Sequence, residues 1–156
     1  MGAAMATRLM NCGHEIAVWN RTPGKTHSLA ATGAKVAATP AQLAADAELI
    51  ITILTDAAAV EAVYRAPEGL LAGARSGQLF LEMSTMRPEV KAKLAREIAS
   101  RGATLVDCPV GGSTGPTHEG KLFGFAGGDA ADIARAKPVL DQLCRRLEHV
   151  GPVGSG

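Results

Sequence analysis

The stretch Glu48-Leu-Ile-Ile-Thr-Ile-Leu-Thr55 is a continuous apolar run of strand length, ended by a polar Thr55-Asp56 pair. A strand exposed on one face alternates apolar and polar residues, whereas a strand buried on both faces reads as one apolar block. This run therefore predicts an interior strand of a parallel sheet covered by helices on both sides. Asp56 is placed to cap a helix reaching Arg65. Outward in both directions the pattern repeats. On the N-terminal side, Gly2 to Asn11 carries helical spacing, and Glu15 to Asn20 alternates like a short strand. Thr22-Pro23 signals a helix start with Thr22 as cap, for a helix ending at Gly33. Lys35 to Ala37 reads as a short strand and Pro40 to Ala45 as a short helix. On the C-terminal side come a strand from Gln78 to Met83 and a helix from Glu89 to Ser100, closed by Gly102. A strand from Ala103 to Asp107 and a glycine-rich loop from Pro109 to Gly120 follow. The chain continues with a strand from Leu122 to Ala126, a helix from Asp129 to Cys144 and a strand from Leu147 to Val150. Strands alternating with helices from end to end predict βαβ units, hence an α/β fold with a doubly wound, mostly parallel sheet in one domain.

Composition narrows the function. With 156 residues, 16 basic and 15 acidic side chains, the chain lacks the basic footprint of a nucleic-acid binder. Apolar residues are 47% but aromatics only 3%, so the core is built from small and branched aliphatic side chains. No apolar run is long enough for a membrane span, and Met1 to Cys12 lacks the apolar core of a signal peptide. Cys12, Cys108 and Cys144 are odd in number and without CxxC spacing, which predicts reduced thiols in a cytoplasmic protein, with neither a disulfide framework nor a structural zinc site. His14, His27 and His149 share no ligand spacing; His118 sits beside Glu119 in the glycine-rich loop, and a solvated role is expected of it.

Doubly wound sheets bind ligands at the carboxyl ends of their strands. Those ends carry Asn20-Arg21-Thr22, Leu54-Thr55-Asp56, Ser84-Thr85 and Asp107-Cys-Pro-Val-Gly-Gly-Ser113. An arginine after the second strand of a dinucleotide fold pairs with the 2′-phosphate of NADP, where an acid would accept the ribose hydroxyls of NAD. Arg21 read alone is equally an ordinary surface charge, and Thr22, Asp56 and Ser84 are equally helix caps. The 18 glycines are expected to cluster where strands hand over to a ligand.

In these residues the chain resembles the β-hydroxyacid dehydrogenases, which include 3-hydroxyisobutyrate dehydrogenases and glyoxylate or succinic semialdehyde reductases, with an NAD-binding domain of the 6-phosphogluconate dehydrogenase type. Met1-Gly-Ala-Ala-Met-Ala6 looks like the end of the fingerprint G-x-G-x-M-G-x-x-M-A, and Cys12 to Thr22, with Lys25, matches the stretch after it. Glu82-Met-Ser-Thr85 with Pro88 resembles D-x-S-T-x-x-P. Asp107-Cys-Pro-Val110 with Gly120-Lys-Leu122 and Gly127-Gly128 resembles D-A-P-V-S-G-G…G-x-L…G-G. His149 to Gly156 resembles the approach to the catalytic lysine.

The resemblance implies a Rossmann-like fold and a role for each matched position. Gly2 is the third fingerprint glycine. Asn20, Arg21 and Thr22 hold the 2′-phosphate, favouring NADP(H) with NAD(H) possible. Leu54 and Thr55 line the ribose side. Thr85 with Ser84 lies beside the nicotinamide and the substrate carboxylate, which Gly112 meets with backbone N–H groups. Gly111 replaces the family's serine and Ser113 its second glycine, so the hydroxyl that grips the acid is lost or moved to Ser113. The resemblance further implies that the first strand precedes Met1, that the catalytic lysine lies about four residues beyond Gly156, and that an all-helical second domain supports homo-oligomers. Read that way, the chain is a piece of a hydride-transferring enzyme acting on a small semialdehyde or 2-oxo acid. The alternatives are a non-catalytic dinucleotide-binding module and an imine reductase domain.

Overall fold

The computed structural model describes residues 1–156. Helix α1 (Gly2–Asn11) leads into strand β1 (Ala17–Val18). A 3₁₀ turn (Pro23–Thr26) and α2 (His27–Ala31) precede β2 (Lys35–Val36). Then come α3 (Pro40–Asp46), β3 (Leu49–Thr52), α4 (Ala57–Arg65), α5 (Leu70–Gly73), β4 (Leu79–Glu82) and α6 (Pro88–Ala99). The chain continues through β5 (Thr104–Asp107), β6 (Val110–Gly111), α7 (Thr114–His118), β7 (Leu122–Gly127), α8 (Ala130–Leu143) and β8 (Cys144–Gly151).

Strands β3, β4 and β5 pair in parallel, with Leu49, Leu79 and Thr104 level with one another and Thr52, Glu82 and Asp107 level at the other end. Strand β7 turns back antiparallel against β5 and β6, and β8 returns parallel to β7. Strands β1 and β2 form a separate parallel pair, so no strand bridges β1 and β3. The strands fall into one sheet of two and one of six.

Strand β4 is buried at every residue. Its odd positions, Leu79 and Leu81, pack with Met5 and Leu9 of α1 and Ile133, Ala136 and Leu140 of α8. Its even position, Phe80, packs on the opposite face with Ile50, Tyr64, Leu94 and Ile98. The two-residue alternation of the strand thus sends side chains into two helical layers, which makes the fold the doubly wound, mostly parallel sheet that the apolar block predicted. Asp56 caps α4 as expected, its Oδ1 accepting the Ala59 N–H at 2.8 Å.

Several local expectations are corrected. Thr22 makes no capping hydrogen bond, because the chain enters a 3₁₀ turn rather than a full helix. Helix α5, unmarked in the sequence, closes against α3. The glycine-rich segment is not all loop but holds β6 and α7. Cys144 begins β8 rather than ending α8, so the last strand is eight residues long. The glycines also serve elsewhere: Gly13, Gly33, Gly77 and Gly102, all at positive φ, sit where helices turn toward strands, at the end of the sheet opposite the expected site, while Gly120, also at positive φ, precedes the antiparallel β7.

All three cysteines are free. Cys108 and Cys144 flank Gly124, where a Cβ would lie 3.1 Å from either sulfur. Burial pushes the Cys108 thiol up to about 12 and the Cys144 thiol up to about 11. A thiol held neutral is a poor nucleophile. An aromatic disulfide reagent at neutral pH should therefore titrate one fast thiol, Cys12, in the native protein and three after denaturation; fast reaction of Cys108 or Cys144 would show that this core opens.

Candidate functional site

The carboxyl ends of β3 and β4 are built around Glu82, the last residue of β4, which is fully buried. A buried carboxylate has to be supplied with donors. Thr52, level with it on β3, donates its hydroxyl to Glu82 Oε2 at 2.5 Å, and Tyr64 of α4 lies 2.8 Å from the same Thr52 oxygen. The Ser84 N–H donates to Glu82 Oε1 at 2.8 Å, which bends the chain sharply as it leaves β4. Ser84 then turns its own Oγ inward to accept the Leu54 N–H at 2.8 Å. The loops that follow β3 and β4 are thereby tied together. Burial, reinforced by the Glu82 carboxylate, raises the Tyr64 phenol well above its ordinary value, so it stays protonated.

Ser84 is 1% exposed, so its hydroxyl serves the loop and is turned away from solvent. Thr85, the next residue, is exposed, as is Thr55; Leu54 is half-buried. Gly2 opens α1 beside the same strand ends: a Cβ there would stand 3.4 Å from Ile53 Cγ2. The third loop reaches this point through α7. Thr117, buried, donates to the Ser113 carbonyl at 2.8 Å and lies 3.4 Å from Met1 Sδ, which docks α7 on the start of α1. Gly112, at φ +141°, packs so closely on Leu122 that a Cβ would come within 2.6 Å of its Cδ2. Gly111 is half-buried, and Ser113 is exposed with its side chain uncommitted to a cap. Gly2 thus lies by Ile53, the 113–117 segment by Met1, and Leu54, Thr55 and Thr85 on the two loops that Ser84 ties together. Neither Glu82 nor Tyr64 was marked as functional in the sequence, because only the register of β3 on β4 brings them together.

Asn20, Arg21 and Thr22 stand apart, at the end of β1 in the two-stranded sheet. Asn20 Oδ1 accepts the Thr22 N–H at 2.9 Å and sets the turn. Arg21 is exposed and enters none of the ion pairs, which employ Arg65, Arg135 and Arg146 among the arginines. Lys25 is exposed nearby in sequence, and the first turn of α1 holds no acidic residue and no side-chain cap. A free guanidinium, free hydroxyls and unsatisfied helix amides are a donor set suited to phosphate groups. The groups of His, Cys, Asp and Glu include no cluster able to hold a metal ion, and no helix is long and apolar enough to cross a membrane.

Comparison with known proteins bears on the family and the fold. A family model described as the NAD binding domain of 6-phosphogluconate dehydrogenase matches residues 1–151. The 3-hydroxyisobutyrate dehydrogenase of Pseudomonas aeruginosa is 36% identical over 156 residues, covering 100% of this chain and 52% of the relative. Among solved structures, Psf3 in complex with NADP+ and 2-OPP superposes with a TM-score of 0.94 at 29% identity, covering 99% of this chain and 55% of that one. The Mycobacterium tuberculosis 3-hydroxyisobutyrate dehydrogenase, solved with L-serine, gives a TM-score of 0.93 at 29% identity, covering 100% and 53%. The chain spans about half the length of the curated relatives it matches.

Replacing Thr52 by Val keeps the shape but strands both Tyr64 and Glu82. Equilibrium denaturation should show a loss of about 1–3 kcal/mol, with Tyr64→Phe adding less than its own single cost. The raised phenol pKa also fixes a sign: its contribution is fully present below the unfolded tyrosine value of about 10 and is lost as the pH rises through the folded value. Tyr64→Phe should flatten that alkaline limb of the stability curve.

Proposed function

The chain belongs to the family of the NAD binding domain of 6-phosphogluconate dehydrogenase, and from that membership we propose that it holds NADPH in preference to NADH as the nucleotide half of a β-hydroxyacid dehydrogenase. The observation that carries this reading is Arg21: an exposed guanidinium without a carboxylate partner, at the end of β1 beside the uncapped hydroxyl of Thr22. Arg21 and Thr22 donate to the 2′-phosphate on a turn shaped by Asn20. Gly2 opens α1 beside Ile53, just past the end of β3. Leu54 and Thr55 face the ribose, and Ser84 keeps Leu54 in place by accepting its N–H. Held by these residues, the nucleotide would supply hydride chemistry toward the carbonyl carbon of a short-chain semialdehyde or 2-oxo acid.

On the substrate side, Thr85 and the backbone of Gly111, Gly112 and Ser113 orient the acid, with the Ser113 hydroxyl in place of the one that position 111 lacks. Orientation of two reacting carbons is the larger share of what a protein adds to such a transfer. A proton donor for the alkoxide is also required. Lys91 and Glu82, the ionisable groups closest in sequence to Thr85 that are buried, are both committed to interior hydrogen bonds. On this reading the chain binds nucleotide without turning it over, since neither buried group is free to serve as the donor.

Fluorescence titration of the wild-type chain and Arg21→Ala with NADPH and NADH tests the assignment. Loss of one charge-assisted contact should weaken NADPH about tenfold or more and leave NADH within about twofold. An unchanged preference would remove Arg21 from the 2′-phosphate site. With succinic semialdehyde present, NADPH absorbance should stay flat; steady oxidation by this chain would contradict the division of labour proposed.

A further inference from the structure

Lys91, in the first turn of α6, is 1% exposed, and Asp107, the last residue of β5, is fully buried; Nζ and Oδ2 are 2.9 Å apart. The pair does not end with itself. Asp107 Oδ1 accepts the Gly154 N–H at 3.2 Å and Oδ2 accepts the Gly156 N–H at 3.1 Å, while Lys91 Nζ also donates to the Gly156 carbonyl at 3.1 Å. One carboxylate thus gathers the turn Pro152–Gly156 from 47 and 49 residues away in sequence. The packing admits no side chains at its contact points. A Cβ on Gly127 would collide with Asp107 Oδ1, and one on Gly156 would stand 2.9 Å from both Asp107 Oδ2 and Pro109 Cδ. Gly154, at φ +98°, rests on Pro88, the first residue of α6.

A buried ion pair is a costly route to stability, because neutral residues of the same volume fill the space without desolvating charge. What the pair supplies is a defined position. We infer that Lys91 and Asp107 are positioning residues, which lock the Pro152–Gly156 turn between Pro88 and Pro109 and so fix the root of the Pro109–Ser113 loop on the substrate side of the site. The inference rests on the dehydrogenase reading above for its functional meaning, and on the hydrogen bonds alone for its mechanical part. The lock acts on the acid side and leaves the nucleotide donors around Arg21 untouched.

The test compares the ¹⁵N-labelled chain with Lys91→Met and with the neutral double variant Lys91→Met/Asp107→Asn. The double variant keeps the volume and avoids the uncompensated carboxylate that threatens the fold of the single one. Amide exchange at Gly154 and Gly156 should quicken at least about tenfold in the double variant, while its global unfolding free energy and its NADPH affinity match wild type. In the wild-type chain saturated with NADP+, added 3-hydroxyisobutyrate should move the Gly111, Gly112 and Ser113 amide resonances, and the double variant should lose that response. Wild-type exchange rates at Gly154 and Gly156 in the double variant would overturn the positioning role. Silence of the wild-type chain toward the acid would instead contradict the substrate side of the proposed function, with the exchange rates still deciding the lock.

Discussion

Two carboxylates end adjacent central strands, level with each other and closed to water: Glu82 on β4 and Asp107 on β5. Charges so placed are tolerated only where each oxygen finds donors, and much of the carboxyl end of the sheet is arranged to provide them. Glu82 is met by neutral donors, a hydroxyl from β3 and a backbone N–H from its own loop, with Tyr64 buttressing the hydroxyl from α4. Asp107 is met by an ammonium from α6 and two glycine amides. No buried side-chain nitrogen or oxygen is left without a partner. These bonds, with the one from the Leu54 N–H to Ser84 Oγ, tie the loops after β3, β4 and β8 to the strand ends.

The remaining strand end behaves differently. Strands β1 and β2 share no hydrogen bonds with the larger sheet and are joined to it through the packing of Ala6, Leu29 and Ala34 beneath α1 and α2. Arg21 and Thr22 stand on this smaller unit, exposed, with no charge partner. Arg21 and Thr22 offer cationic and hydroxyl donors at the end of β1, while Leu54, Thr55 and Thr85 follow the ends of β3 and β4.

The interior of the fold was legible because it depends on periodicity. The Glu48–Thr55 block, the Asp56 cap and the amphipathic run into Ser100 each declare themselves over a few neighbouring residues. Arg21 and Thr85 were singled out for a similar reason: they lie just beyond strand ends, where sheets of this kind place ligands, and the structure leaves both exposed there. What sequence reading missed depends on register and tertiary contact. Ser84 has the composition of a ligand-facing residue, yet the Leu54 N–H draws its hydroxyl inward. Thr52, Glu82 and Tyr64 form one network only once β3 lies level with β4 and α4 folds back over them. Lys91 looks like any surface lysine of a charged helix, and its burial becomes visible only when Asp107 is found below it. The glycines were misplaced for the complementary reason: several close helix-to-strand turns, where a left-handed backbone is needed, rather than making room for a ligand.

The central claim is that the carboxyl ends of β1, β3 and β4, with the start of α1, form one nicotinamide dinucleotide site. The most direct measurement is a map of backbone amide shifts as NADPH is titrated into the labelled 156-residue chain. The account predicts saturable shifts at Gly2, Asn20 to Thr22, Leu54 to Asp56 and Thr85, with the helix-to-strand turns at Gly33, Gly77 and Gly102 unmoved. Shifts confined to those turns, or none at millimolar NADPH, would contradict it.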